Sequence, residues 1–381
     1  MPELDAIDAT RLFHRETDNW PGETPGTVSR DPLRGPHRLD FTRQPPDNVP
    51  LTFKEFVGLP SVELSVEALS RRTGRATEVL ARPQSDDAMF DAGTLARVLA
   101  FSAGITRVLE SPRGKRYFRA ASSAHSYPDL YVVCGDLDGV PAGVYYFHGL
   151  HLRLDRLRKG DFRAVLAHAA ADESITRRAA TVVVVGVPWR AAWRYAERAL
   201  RHVYWDTGGL LANMVAVAEA DGVEARIALG FVDADVAALV GVDGVDQFPV
   251  ALATFGRAAG SSGTLPAVRP LEIADPAIST AEPIEFPLIT AAHRSGDLRD
   301  DGSVAAWRAS RSRAAAGSVV MRVAPPSGHE RSIEDVILHR GSTRRMLPDA
   351  VPAAALDWAL AVAVRPAPGA GSTTGARSSS T

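Results

Sequence analysis

One cysteine and three lysines occur among 381 residues. The single thiol, Cys134, excludes an intramolecular disulfide and a cysteine-rich zinc site. Set in the apolar run LYVVCGDL, it reads as a small core residue. Lysine stands only at Lys54, Lys115 and Lys159; every other cationic residue is an arginine, which does not lose its proton. The formal net charge is −2, too small for general electrostatic binding of nucleic acid. No stretch reaches the roughly 18 apolar residues of a membrane span. The opening MPELDAIDATRLFHRE has neither the basic start nor the apolar centre of a signal peptide, so a cytoplasmic protein is expected. The histidines show no metal-ligand spacing such as HExxH.

What is present is the composition of a globular protein, 45% hydrophobic and 23% charged. Residues 1–60, rich in Pro, Asp and Arg, read as an extended arm with a short helix near 5–14. Helices are expected over 62–75, 92–106 and 161–172, and strands over 129–136, 180–189, 226–233 and 248–256. Residues 143–157 read as a hairpin. The stretch 190–223 reads as two helices meeting near Asp206-Thr207-Gly208-Gly209, the second apolar on most sides and so buried in the core or at an interface. Residues 258–317 read as a linker or crossing arm, 318–365 as a further strand and two helices, and 366–381 as a disordered tail.

Two segments resemble each other. SVEALSRRTGR at 65–75 and SIEDVILHRGSTRR at 332–345 both run from Ser-[Val/Ile]-Glu into Arg-x-[Ser/Thr]-x-Arg: Arg71, Thr73 and Arg75 in the first, Arg340, Ser342 and Arg344 in the second. Guanidiniums flanking a hydroxyl suit an anion through charge-assisted bonds.

The order of motifs is similar to that of the nitroreductase superfamily of FMN enzymes, and within it to SagB-type dehydrogenases, which oxidise azolines in peptide natural products. The likeness spans residues 60–256. It rests on the arginine loop at 71–75, SSAHSYP followed by LYVV, GVYYFHGLHLRLDRL, RYAERALRHVYWDTGGLLANMVAVAEADGV, LGFVDADVAALVGVD and LATFG. It implies an α+β fold, a central mostly antiparallel sheet flanked by helices, over residues 61–257. It also implies FMN at the interface of a homodimer formed through the helix at 207–222. Arg71, Arg72, Thr73 and Arg75 would hold the phosphate or ribityl chain, with Arg257 or Arg269 completing the site. Ser123 and His125 would lie near the flavin edge, and the backbone at Leu229 and Gly230 against the ring. Azoline dehydrogenases place a Lys-Tyr pair where this chain has Arg194-Tyr195. Arginine cannot be the base, but its charge favours the tyrosinate, leaving Tyr195 as the acid/base candidate.

The second copy lacks the later motifs and reads as the remnant of a tandem nitroreductase, a structural appendage. Three functions follow from the resemblance: a dehydrogenase acting on a peptide-derived heterocycle, alongside biosynthetic partner enzymes; an NAD(P)H-dependent reductase of nitro or quinone compounds; or a redox-idle scaffold in a biosynthetic complex.

Overall fold

The computed structural model describes residues 6–17, 47–81, 88–112, 114–121, 128–258, 260, 262–263, 265–273, 276–315, 323–325, 331–341 and 345–363. Among them, the β-branched runs make the centre of the molecule. Strands β4 (Asp129–Cys134), β7 (Ala180–Gly186) and β9 (Phe248–Phe255) are buried along their whole length. Valine-rich strands of this kind are favoured where both faces of a sheet are covered. Around them the sheet runs β1 (Ser61–Glu63), β6 (Arg153–Lys159), β5 (Gly143–His148), β4, β7, β9 and β8 (Ala225–Ala228), antiparallel at every step. Strands β2 (Ile105–Ser111) and β3 (Gly114–Arg119) form a separate hairpin.

The two-residue period of the strands divides the core. Leu130, Val132, Val182, Val184, Ala251 and Ala253 face one side, where α2 (Ala76–Ala81), α3 (Ala92–Ala103) and α6 (Ala199–Ala220) pack. Tyr131, Val133, Val183, Val185 and Leu252 face the other, under α4 (Arg163–Ala169) and α7 (Asp233–Val240). A third apolar cluster closes one end, joining α1 (Ala6–Thr17), α5 (Pro188–Tyr195), the start of α6 and α8 (Pro287–Arg294). Cys134 is in β4 with no exposed surface, and burial pushes its thiol up to about 12. The remaining helices are α9 (Asp301–Ala315), α10 (Ile333–His339) and α11 (Ala353–Ala363). No helix among the described residues is long and apolar enough to cross a membrane.

Several local expectations change. The helix expected over 62–75 is instead the edge strand β1, a single 3-10 turn at Glu67–Ser70 and an extended loop. Pairing Ser61–Glu63 with β6 gains ladder hydrogen bonds that so short a helix could not match. The break expected near Asp206–Gly209 lies earlier, at Ala196, and α6 runs unbroken through both glycines. Burial of Leu210, Leu211 and Met214 outweighs the helix penalty of Gly208 and Gly209, about 1 kcal/mol each. The segment 258–317 carries α8 and α9. Most of the strand expected at 318–324 and all of the tail from 366 lie outside the described residues.

Residues 47–57 are fixed to the sheet by buried charge. Arg190 of α5 grips Asp129 at the start of β4 through two bonds of 2.7 and 3.3 Å. Lys54 Nζ lies 2.6 Å from the Tyr131 hydroxyl and 3.4 Å from Asp129. Burial pushes the Asp129 carboxyl up, but Arg190 and Lys54 outweigh it and hold the group below its ordinary value. Asp129→Asn leaves two buried cations without their shared carboxylate. Denaturant unfolding should show a loss of about 3–5 kcal/mol; an unchanged midpoint would refute this account of how the arm is held.

Candidate functional site

The arginine loop follows the 3-10 turn and ends where α2 begins. It is closed by carboxylates from two distant parts of the chain. Arg71 Nη2 lies 2.6 Å from Asp221, the C-cap of α6. Arg72 Nε donates to Asp335 at 2.8 Å, and its Nη1 to the carbonyls of Leu69 and Ser70. The Thr73 hydroxyl and backbone N–H both donate to Glu334, at 2.8 and 3.2 Å. Beneath the loop, the buried Arg97 of α3 donates to Asp221 and Glu334 and to the carbonyls of Ala68 and Arg71. Glu334 and Asp335 belong to the second repeat. Ser332 caps α10 by accepting from the Asp335 N–H at 3.1 Å, and forms a β-bridge with Arg75. The second Ser-Ile-Glu-Asp thus docks on the first arginine loop.

Whether the loop suits a phosphate is answered residue by residue. Arg71, Arg72 and Arg75 keep 55%, 40% and 50% of their side chains exposed, so guanidinium surface still faces solvent. One ion pair leaves most of the five donors of Arg71 directed elsewhere. Thr73 does not suit it, because Glu334 takes both of its donors. Arg257 is the second residue after β9, next to Gly256, whose Cα side faces Phe90 just ahead of α3. Arg269 lies near α7, its carbonyl accepting from Arg158, which also donates to Leu239 and Ala238. Arg257 is therefore the one of the two on the side of the arginine loop.

Tyr195 ends α5. The next residue, Ala196, has φ +46°, a left-handed conformation costly for any residue but glycine, and it turns the chain into α6. The Tyr195 ring stacks on His202 at 4.1 Å, and His202 meets the exposed Trp205 edge-on at 5.2 Å. Burial, helped by the charge of Arg198, keeps His202 below its ordinary pKa and so neutral at pH 7. Arg194 precedes this ladder on the last turn of α5.

The two groups sit at opposite ends of one helix. His202, against Tyr195, and Asp221, against Arg71, are nineteen positions apart along α6, about 28 Å at 1.5 Å per residue. Leu229 and Gly230 directly follow β8, and Leu229 is 43% exposed. A Cβ on Gly230 would stand 2.6 Å from the Trp307 ring of α9, so this glycine already admits a close neighbour. Ser123 and His125 lie outside the described residues.

Residues 84–257 match the Nitroreductase family model. The domain has the nitroreductase fold. A protein of Anabaena variabilis ATCC 29413 assigned as a nitroreductase aligns over 77% of this chain and 55% of its own, with TM-score 0.54 and 22% identity. Another from Ralstonia eutropha JMP134 covers 56% of this chain and 97% of its own, at TM-score 0.42 and 19% identity. The E. coli microcin synthetase McbBCD complex with truncated pro-MccB17 bound covers 47% of this chain and 71% of the matched chain, at TM-score 0.39 and 18% identity. The chain thus spans about half the length of the Anabaena protein, 55%. No curated protein matches it.

Within the nitroreductase-fold domain, the motif order locates the arginine loop and the Arg-Tyr pair but not the acids that face them. Asp221, Glu334 and Asp335 carry no spacing that pairs them with arginines 71, 72 and 97 across the fold. The one available signal is the second Ser-x-Glu segment, which marks where α10 begins.

Burial pushes the Glu334 carboxyl up; the hydrogen bonds from Thr73, its own N–H and Arg97 outweigh this and hold it below the usual range. A depressed folded pKa stabilises above the unfolded value of about 4.3 and fades as pH falls through the lower folded value. Glu334→Gln should therefore cost about 1–3 kcal/mol at pH 7, and its urea midpoint should converge on that of the parent protein as pH falls below the ordinary carboxylate range. A gap that persists in acid would show that charge is not what holds α10.

Proposed function

We propose that the chain is an FMN-dependent oxidoreductase working as a homodimer, most specifically a SagB-type dehydrogenase that oxidises an azoline or related heterocycle on a peptide-derived product. The observation that carries this reading is the separation of the arginine loop from Tyr195 along α6. A nitroreductase fold with both groups, held too far apart to meet one small molecule, calls for a second copy. Along α6 an exposed stripe runs through Trp205, Gly208, Gly209 and Ala212. A Cβ at Gly208 would meet nothing within 4 Å, so another helix could come close. Two α6 helices packed antiparallel would bring Tyr195 of one copy toward the arginine loop of the other.

Arg71, Arg72, Arg75 and Arg257 would hold the flavin phosphate, with Leu229 and Gly230 nearer the ring. Bound flavin would supply the hydride acceptor. Tyr195 would take the substrate proton, its ring oriented by the stack on His202, with Arg194 beside it on the last turn of α5. Arg194 also supports a second reading. An arginine cannot act as the base in place of lysine, and an NAD(P)H-driven reductase of nitro or quinone compounds needs no such base.

The purified protein should carry oxidised flavin absorbing near about 450 nm, and Arg71→Ala should lose most of it. Colourless protein that takes up no added FMN would leave only a scaffold role. Bleaching by NAD(P)H would select the reductase. For the dehydrogenase, Arg71→Ala and Tyr195→Phe should each be inactive on a thiazoline peptide, while unfolding and refolding them together restores roughly a quarter of the activity through mixed dimers. Two inactive variants that stay inactive when mixed would place the site within one chain.

A further inference from the structure

Away from α6, a second group of titratable side chains has no part in the reading above. Asp233 opens α7, His293 lies in the last turn of α8, and Asp297 follows four residues later. One ligand atom from each lies within 4.8 Å of the other two, and His293 Nε2 is 3.8 Å from Asp297 Oδ1. Bonded at about 2.0–2.2 Å, two ligands of one divalent ion stand roughly 3–4 Å apart. Small rotations of the carboxylates would close the set.

The surroundings hold these groups in place. The His293 ring stacks on Phe248 of β9, with centroids 3.5 Å apart, and is 8% exposed. Leu298 N–H donates to Asp233 Oδ2 at 2.8 Å, and Val232 bridges to Leu298 in parallel. Asp297 Oδ1, although buried, accepts no hydrogen bond. Two carboxylates and an imidazole thus converge here, with Asp297 Oδ1 and His293 Nδ1 both buried and without a hydrogen-bond partner. Arg294 and Arg299 offset part of the Asp297 charge.

We propose that Asp233, His293 and Asp297 bind one divalent transition-metal ion, with water completing its shell. One nitrogen and two carboxylate oxygens suit Zn²⁺, Mn²⁺ or Co²⁺ better than Ca²⁺, which prefers an all-oxygen shell. Such an ion would tie α8 and the turn after it, outside residues 84–257, to the start of α7 within them.

The test uses the full chain, stripped with EDTA and titrated with Co²⁺ and Zn²⁺. The visible ligand-field bands of Co²⁺ report nitrogen and oxygen coordination. The expected result is one equivalent bound, bands that Zn²⁺ removes, and a raised melting temperature with Zn²⁺. Asp297→Asn, at a part-exposed position and of nearly the same shape, should weaken binding by at least about 100-fold while its circular dichroism stays that of the parent. Glu55→Gln, in the separate cluster of Glu55, His148 and His151, should change nothing. Failure of the parent chain to bind one equivalent, or equal binding by Asp297→Asn, would overturn the assignment. Should only Glu55→Gln lose the ion, the metal belongs to the other cluster and the assignment is likewise wrong.

Discussion

The guanidinium of Arg97 is the point on which much of this molecule turns. It is 1% exposed, and a buried cation of that kind persists only with opposite charge and hydrogen bonds around it. Its partners come from four places: the 3-10 turn, the arginine loop, the end of α6 and the start of α10. Satisfying one side chain thus ties together distant segments, Glu334 lying 237 positions from Arg97 itself. The exposed arginines of the loop owe their geometry to it, since Arg71 shares Asp221 with Arg97. The surface that faces solvent is arranged by a charge that does not.

That arrangement gives the repeated segment a meaning its sequence does not state. Ser332-Ile333-Glu334-Asp335 was legible as a helix start because Ser caps and acids favour a first turn. Its target was not, because nothing in a linear pattern says which arginine a carboxylate will meet. The central strands were legible for the opposite reason: a run such as TVVVVG satisfies itself by burial, whatever its neighbours are. Likewise Tyr195 stood out by motif, while the positive φ of Ala196 beside it did not, being imposed by the meeting of α5 and α6. The stretch at 62–75 was misread because its helical spacing competes with an open sheet edge at β6, and the edge is invisible until the sheet exists. Residues chosen by local free energy can be read from sequence; residues chosen by a distant partner cannot.

The length of α6 separates two demands on the domain. One end of the helix is held by charge, at Asp221, and the other by aromatic stacking, at His202. Between them the helix shows solvent Tyr204, Trp205, Gly208, Gly209 and Ala212 and keeps Leu210, Leu211, Met214 and Val217 in the core. A rigid rod with different chemistry at each end sets the distance over which any shared site must be built, and leaves the middle free for contact with another surface.

Lysine is scarce here, and the structure makes it scarcer. Lys54 is sealed between Tyr131 and Asp129, while Lys115 and Lys159 stand exposed on the β2–β3 hairpin and at the end of β6. Amine-directed reagents, cross-linkers and surface-coupling chemistries will therefore find two side-chain handles on the folded chain. A molecule immobilised through them will hang from those two places and leave α6 and the arginine loop chemically untouched.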